Sequence, residues 1–104
     1  AALEAVIDAS GRDYVKGLAR LRLARLQVAE GEAEAALATL EAGVPEALAA
    51  QRAEVRGDAY HALGQTDDAG EAWREALALA DAREQPLYGV QLKLDNLGHD
   101  EATI

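Results

Sequence analysis

The stretch Arg56-Gly57-Asp58-Ala59-Tyr60-His61-Ala62-Leu63-Gly64, followed by Asp68-Ala69, Trp73 and Ala76-Leu77, decides the fold. Ala53, Gly57, Tyr60 and Gly64 mark a face that a second helix can approach closely. Ala69, Ala72, Trp73, Ala76 and Leu77 line that second helix. Small residues opposite large ones let two antiparallel helices interlock at short distance. Gly64 sits where the first helix should stop. Asp67 and Asp68 favour the start of the next helix, and Thr66 is expected to cap it.

The same pattern stands 33 residues upstream. Ala24 falls on Gly57, Gly31 on Gly64, Ala36 on Ala69, Leu40 on Trp73 and Gly43 on Ala76, each small on small or apolar on apolar; Leu26 falls on the smaller Ala59. Each unit therefore reads as helix, tight turn, helix, and an internal repeat of this length signals a stacked helical array. The spacing predicts helices over 13–30, 33–42, 46–63 and 67–82, with a last one over 86–97; Pro45 and Pro86 suit helix beginnings. One domain spans 1–104: residues 1–10 as the end of a preceding repeat, 13–43 and 46–82 as repeats, 86–97 as a capping helix and 98–104 as a polar tail. Along the first long helix, Tyr14, Leu18, Leu21 and Val28 share one side, and Ala19, Leu23 and Leu26 lie nearly opposite. Two apolar faces predict two packed neighbours.

Composition agrees. The 104 residues include 10 Lys plus Arg against 19 Asp plus Glu, a net charge of −9, with only four aromatic residues. An all-β fold would lack its usual β-branched and aromatic material, and an acidic chain is a poor partner for nucleic acid. The absence of Cys excludes disulfides, thiolate zinc sites and cysteine nucleophiles. No apolar run approaches the roughly 20 residues of a membrane span. The chain opens Ala1-Ala2-Leu3 without Met, as an excised piece would.

The segment around Gly57, Tyr60, Gly64, Ala69, Trp73 and Ala76 resembles a tetratricopeptide repeat. The resemblance implies an all-α fold, antiparallel helix pairs stacked as a right-handed solenoid. The first repeat departs from the pattern, with Ala24 for a usual Gly and Gln27 for a usual aromatic, and Asp81 stands where Pro often ends the repeat. A narrower resemblance covers nearly the whole chain. Leu18-Ala19-Arg20-Leu21-Arg22-Leu23-Ala24-Arg25-Leu26, then Glu34-Ala35-Ala36-Leu37-Ala38-Thr39-Leu40, Arg56-Gly57-Asp58 and Leu92-Lys93-Leu94-Asp95-Asn96-Leu97 are similar to the YfgM-type family of ancillary SecYEG translocon subunits. This implies a bacterial inner-membrane parent with one membrane anchor outside these residues and a repeat domain facing the periplasm. The implied partners are the translocon and a PpiD-type periplasmic chaperone, in the handling of translocated proteins.

Catalytic chemistry is hard to assemble from these residues. His61 lies three residues after Asp58, on one helical face, a spacing open to a metal pair. With His99 as the only other His, a solvated groove position is the plainer reading. Ser10, the only Ser, sits before Gly11 and suits a turn better than a nucleophile. Gly31-Glu32 and Gly64-Gln65 are isolated helix-turn glycines without a phosphate-cradling motif. No catalytic, cofactor or metal site is expected.

Surface remains. Carrying over the family's groove positions gives Leu18, Leu21, Arg25 and Val28 from the first repeat and Gln51, Glu54, Asp58 and His61 from the second. Such a groove, apolar with one Arg on one flank and acidic on the other, suits an extended or helical segment with an exposed Leu and a basic residue. It argues against a carboxylate clamp built from Lys and Asn. The Leu residues have an equal alternative, packing against repeats that precede Ala1; exposed, they would promote self-association. Charge also divides: residues 1–29 carry five basic and three acidic groups, and residues 30–104 five and sixteen. The expectation is a protein-binding module without enzymatic activity that uses its groove or its Leu92–Leu97 helix to bind a protein partner. Its alternative is a cytosolic repeat scaffold or regulatory adaptor within a larger protein.

Overall fold

The computed structural model describes residues 9–102, with side chains over 11–97. Five α-helices follow one another: α1 (Ala9–Ala29), α2 (Ala33–Glu41), α3 (Ala49–Ala62), α4 (Thr66–Ala82) and α5 (Tyr88–Ala102). A 3₁₀ turn, Glu46–Leu48, leads into α3 directly after Pro45. Among the described residues there is no strand. Neighbours in sequence pack as neighbours in space, α1 on α2, α3 on α4 and α4 on α5, with α3 also touching α1 and α2. This is the stacked, all-α arrangement of helix pairs that the repeat implies.

The turns are built from backbone geometry. Gly31, at φ 82°, ends α1: its N–H donates to Val28 O and the next N–H, of Glu32, donates to Gln27 O. Gly64, at φ 76°, repeats the motif with His61 O and Tyr60 O. Glycine enters this left-handed region without a Cβ penalty. The end of α4 makes the same pair of bonds, Glu84 to Asp81 O and Gln85 to Ala80 O, with Glu84 at φ 54° and no glycine. Arginines cover other carbonyls at the end of α2. Arg52 Nε donates to Leu40 O at 2.8 Å and Arg20 Nη1 to Gly43 O at 3.3 Å.

Two apolar clusters hold the stack. Leu21, Ala24, Ala33, Ala36, Leu40, Leu48, Val55 and Ala59 join α1, α2, the 3₁₀ turn and α3. Ala53, Ala69, Trp73, Ala76, Val90 and Leu97 join α3, α4 and α5. At the α3–α4 contact a Cβ built on Gly57 would overlap the Trp73 indole. The Gln27 that departs from the aromatic pattern accepts a hydrogen bond from the Thr39 hydroxyl at 2.7 Å, tying α1 to α2.

Several expectations need correction. Ser10 and Gly11 lie within α1, so they form no turn. Thr66 is the first helical residue; Gln65 holds the cap position and makes no side-chain cap hydrogen bond. The last helix begins at Tyr88 and continues to Ala102, taking in 98–102 of the segment read as a tail. The second apolar face of α1 is unpacked: Leu23 is 48 % and Leu26 54 % exposed, and on the first face Tyr14, at its N-terminal end, is exposed too. Helical periodicity located the second face, but the described residues supply a neighbour only on the first. The expectation for residues 1–10 falls, over 1–8, outside the described residues, and Ala9 and Ser10 open α1.

Candidate functional site

The groove-side residues of α3 follow from helical geometry. Gln51, Glu54, Asp58 and His61 lie three or four residues apart, so their side chains emerge on one face. Val55 and Ala59, buried toward α1 and α2, fix the rotation of the helix. Trp73 then fixes the polar end of that face. Buried at 3 % exposure, its Nε1 donates to Glu54 O and to Asp58 Oδ1, both at 3.2 Å. A buried indole N–H needs such partners, and here they hold the Asp58 carboxylate in place.

Lys93 of α5 completes the arrangement. Its Nζ donates to Asp58 Oδ1 at 2.8 Å and to Glu54 Oε2 at 3.1 Å, and stands 6.0 Å from the Trp73 ring centroid. Arg25 of α1 approaches Glu54 Oε1 from the other side at 3.9 Å. Burial opposes the charge of Lys93, but the hydrogen bonds and attraction of Asp58 and Glu54 outweigh it, so its pKa is raised above the ordinary 10.5. Two cations thus meet two carboxylates, and the site is close to neutral.

Beside this network opens a cleft of about 530 Å³ lined by Val28, Asp58, His61, Ala62, Trp73, Lys93, Asn96 and Leu97. Helices α1, α3, α4 and α5 all contribute. The exposed His61 ring stands 5.6 Å from the Trp73 ring, tilted by 43°.

Of the eight expected groove residues, Val28, Asp58 and His61 line this cleft. Arg25 and Glu54 belong to the ion network behind it. Leu18 is half-buried against the first core cluster. Leu21 is corrected from groove to core: it is buried in that cluster because its side of α1 faces α2 and α3. Gln51 lies farther along α3, half-buried, and its buried Oε1 accepts no hydrogen bond among the described residues.

Sequence reasoning did not place Lys93 and Asn96 in the groove, although it offered the Leu92–Leu97 helix that carries them as an alternative binding element. They sit with Leu97 on one face of α5. The available signal was that Lys93 is the one cation of α5 and acidic residues crowd the groove face of α3. Among the described residues no group of three His, Cys, Asp or Glu side chains could hold a metal ion. The arrangement is a binding surface: an apolar floor, a buried aromatic, and paired charges that a partner can reach at the rim.

Comparison with known proteins follows the same line. A family described as the tetratricopeptide repeat-like domain matches residues 1–99. The chain is similar to the "Ancillary SecYEG translocon subunit" of Escherichia coli (strain K12), 38 % identical over 85 residues. That match covers 82 % of this chain and 41 % of the relative, so the chain spans about two-fifths of the relative's length. No solved structure matches the chain. Among the described residues, no helix is long and apolar enough to cross a membrane.

Proposed function

We propose, from the premise that this chain belongs to the tetratricopeptide repeat-like domain family, that it is a non-catalytic protein-binding module of a translocon-associated protein. The observation that carries the reading is the cleft into which four separate helices send side chains around Trp73 and Lys93. Similarity to a relative named as a translocon subunit supports the setting. In that setting the parent protein is held at the bacterial inner membrane by a segment outside these residues. The domain faces the periplasm, where it binds the translocon and a periplasmic chaperone.

The chemistry of the cleft refines the expected ligand. Asp58 and Glu54 are already matched by Lys93 and Arg25, so a basic ligand group gains little net charge attraction. Val28, Ala62 and Leu97 offer an apolar floor for a Leu-sized side chain, while Asn96 and His61 offer hydrogen bonds to an extended backbone. A peptide segment of mostly apolar character fits this combination best. Its binding depends weakly on salt because the site is nearly neutral.

The test is a pull-down with the full-length parent from mild detergent. A parallel sample carries Arg25, Asp58 and His61 replaced by Ala. Recovery of translocon subunits and a periplasmic chaperone with the parent, and their loss from the triple variant, is the expected result. Recovery of soluble cytosolic proteins alone would contradict the reading.

A further inference from the structure

Helix α1 carries a second surface, turned away from the cleft. Val15, Ala19, Leu23 and Leu26 recur at helical spacing on the side opposite Leu21 and Ala24, and Val15 is 60 % exposed. The exposed Arg12, Lys16 and Arg22 border this stripe. Helix α1 holds five basic residues against the single acidic Asp13. Two of the five, Arg20 and Arg25, turn inward to Gly43 O and Glu54.

The last helix presents a complementary face. On the side of α5 opposite Val90 and Leu97, Tyr88 is 82 % and Leu92 61 % exposed. Beside Tyr88 opens a hollow of about 530 Å³ between α4 and α5, walled by Leu77, Ala78, Pro86 and Leu87. The exposed ionised groups here are Asp81, Glu84 and Asp95 against Arg74 and Arg83, a small acidic excess. Lys93, the cation of α5, is turned into the cleft and held by Asp58 and Glu54.

We propose that a second copy of this chain covers the α1 stripe, seating its acidic α5 face against the basic α1 face. The contact is heterologous, one face on a different one. Symmetric pairing of α1 with α1 would set Arg12, Lys16 and Arg22 against like charges, whereas α1 on α5 sets them near Asp81, Glu84 and Asp95. The Leu23 and Leu26 side chains are of the size and character to enter the α4–α5 hollow. Because each copy keeps one free face of each kind, the assembly is open and lengthens with concentration. The concentration range in which weak association is read is roughly 10 µM to 1 mM. The cleft around Trp73 is left free, so this inference stands apart from the function proposed above.

Sedimentation velocity over that concentration range tests it. The wild-type chain should sediment faster as concentration rises, and less so at high salt, which screens the charged rims. Leu23→Glu and Leu92→Glu should each remain monomeric alone, while their equimolar mixture forms a dimer and stops there. Leu26→Glu and Tyr88→Glu provide the same pair of blocked faces should either first variant lose its helical circular dichroism. Three results would overturn the proposal. One is a wild-type chain monomeric throughout, with a Cys at position 23 either open to thiol reagent or shielded by the chain's own residues. Another is Leu92→Glu that still dimerises, the mark of α1 paired with α1. The third is association that survives in both variants.

Discussion

Gly57 of α3 lies so close to Trp73 of α4 that a Cβ at position 57 would overlap the indole. The indole cannot simply retreat, because its Nε1 is bonded to Glu54 O and Asp58 on the same helix as Gly57. The close α3–α4 contact at Gly57 and the positioning of Asp58 are therefore one structural event. A glycine packs α3 against α4, and the tryptophan it admits fixes the carboxylate at the cleft.

Gly57→Ala sets helix propensity against that packing. Alanine favours an isolated helix by about 1 kcal/mol, while overpacking a tight core costs about 1–3 kcal/mol. Urea unfolding is expected to show net destabilisation. Gly89→Ala, where an added Cβ meets nothing within 4 Å, should instead stabilise by about 0.5 kcal/mol.

Trp73→Phe keeps much of the apolar contact but removes the donor shared by Glu54 O and Asp58. The expected loss is about 1–3 kcal/mol, from the lost indole hydrogen bonds and from the volume not refilled. In the same variant the Asp58 carboxylate loses one of its two fixed donors. Cleft binding should weaken even at temperatures where the fold is intact, as calorimetric titration can read.

Glu84 occupies the left-handed position that Gly31, Gly43 and Gly64 hold at the ends of α1, α2 and α3. A side chain in that conformation costs roughly 1–2 kcal/mol, partly offset by the extra chain entropy glycine loses on folding. Glu84→Gly should raise stability by about 0.5–1 kcal/mol, seen as a higher midpoint in thermal melts.

Lys93 makes the fold sensitive to alkali. Its pKa is raised above 10.5 in the folded chain, burial being outweighed by Asp58 and Glu54. A raised folded value means this stabilisation is fully present below the unfolded pKa and is lost as pH rises through the folded one. Denaturation midpoints followed upward from about pH 9 should fall in the wild type and fall less in Lys93→Met. Asp58→Asn should move the Lys93 titration, followed by NMR, to lower pH.

How much of this could be read in advance differs residue by residue. Gly57, Gly64, Ala69 and Trp73 were legible because their spacing within one helix pair leaves a single way to interlock. The clash-free approach of Gly57 to Trp73 is the structural form of that pattern. Leu23 and Leu26 were legible as a second apolar face but not as an unpacked one, since periodicity says where a face points and not what meets it. Lys93 was legible within the Leu92–Leu97 segment but not as a groove residue, because its partners Asp58 and Glu54 lie 35 and 39 residues away, and only the stacking of α5 on α4 brings them together. Glu84 escaped notice for the opposite reason: backbone hydrogen bonds alone impose its left-handed turn, and Glu carries no signal for one.

The central claim is that protein partners enter the cleft around Trp73, and a photo-activated cross-linker placed in the full-length parent tests it most directly. Substituted at His61 or Asn96 in bacterial membranes, the label should yield adducts with translocon subunits or a periplasmic chaperone. Substituted at Glu71, on the side of α4 opposite Trp73, it should yield none. Adducts from Glu71 with His61 and Asn96 silent would contradict the account and move the binding surface to the other side of the solenoid.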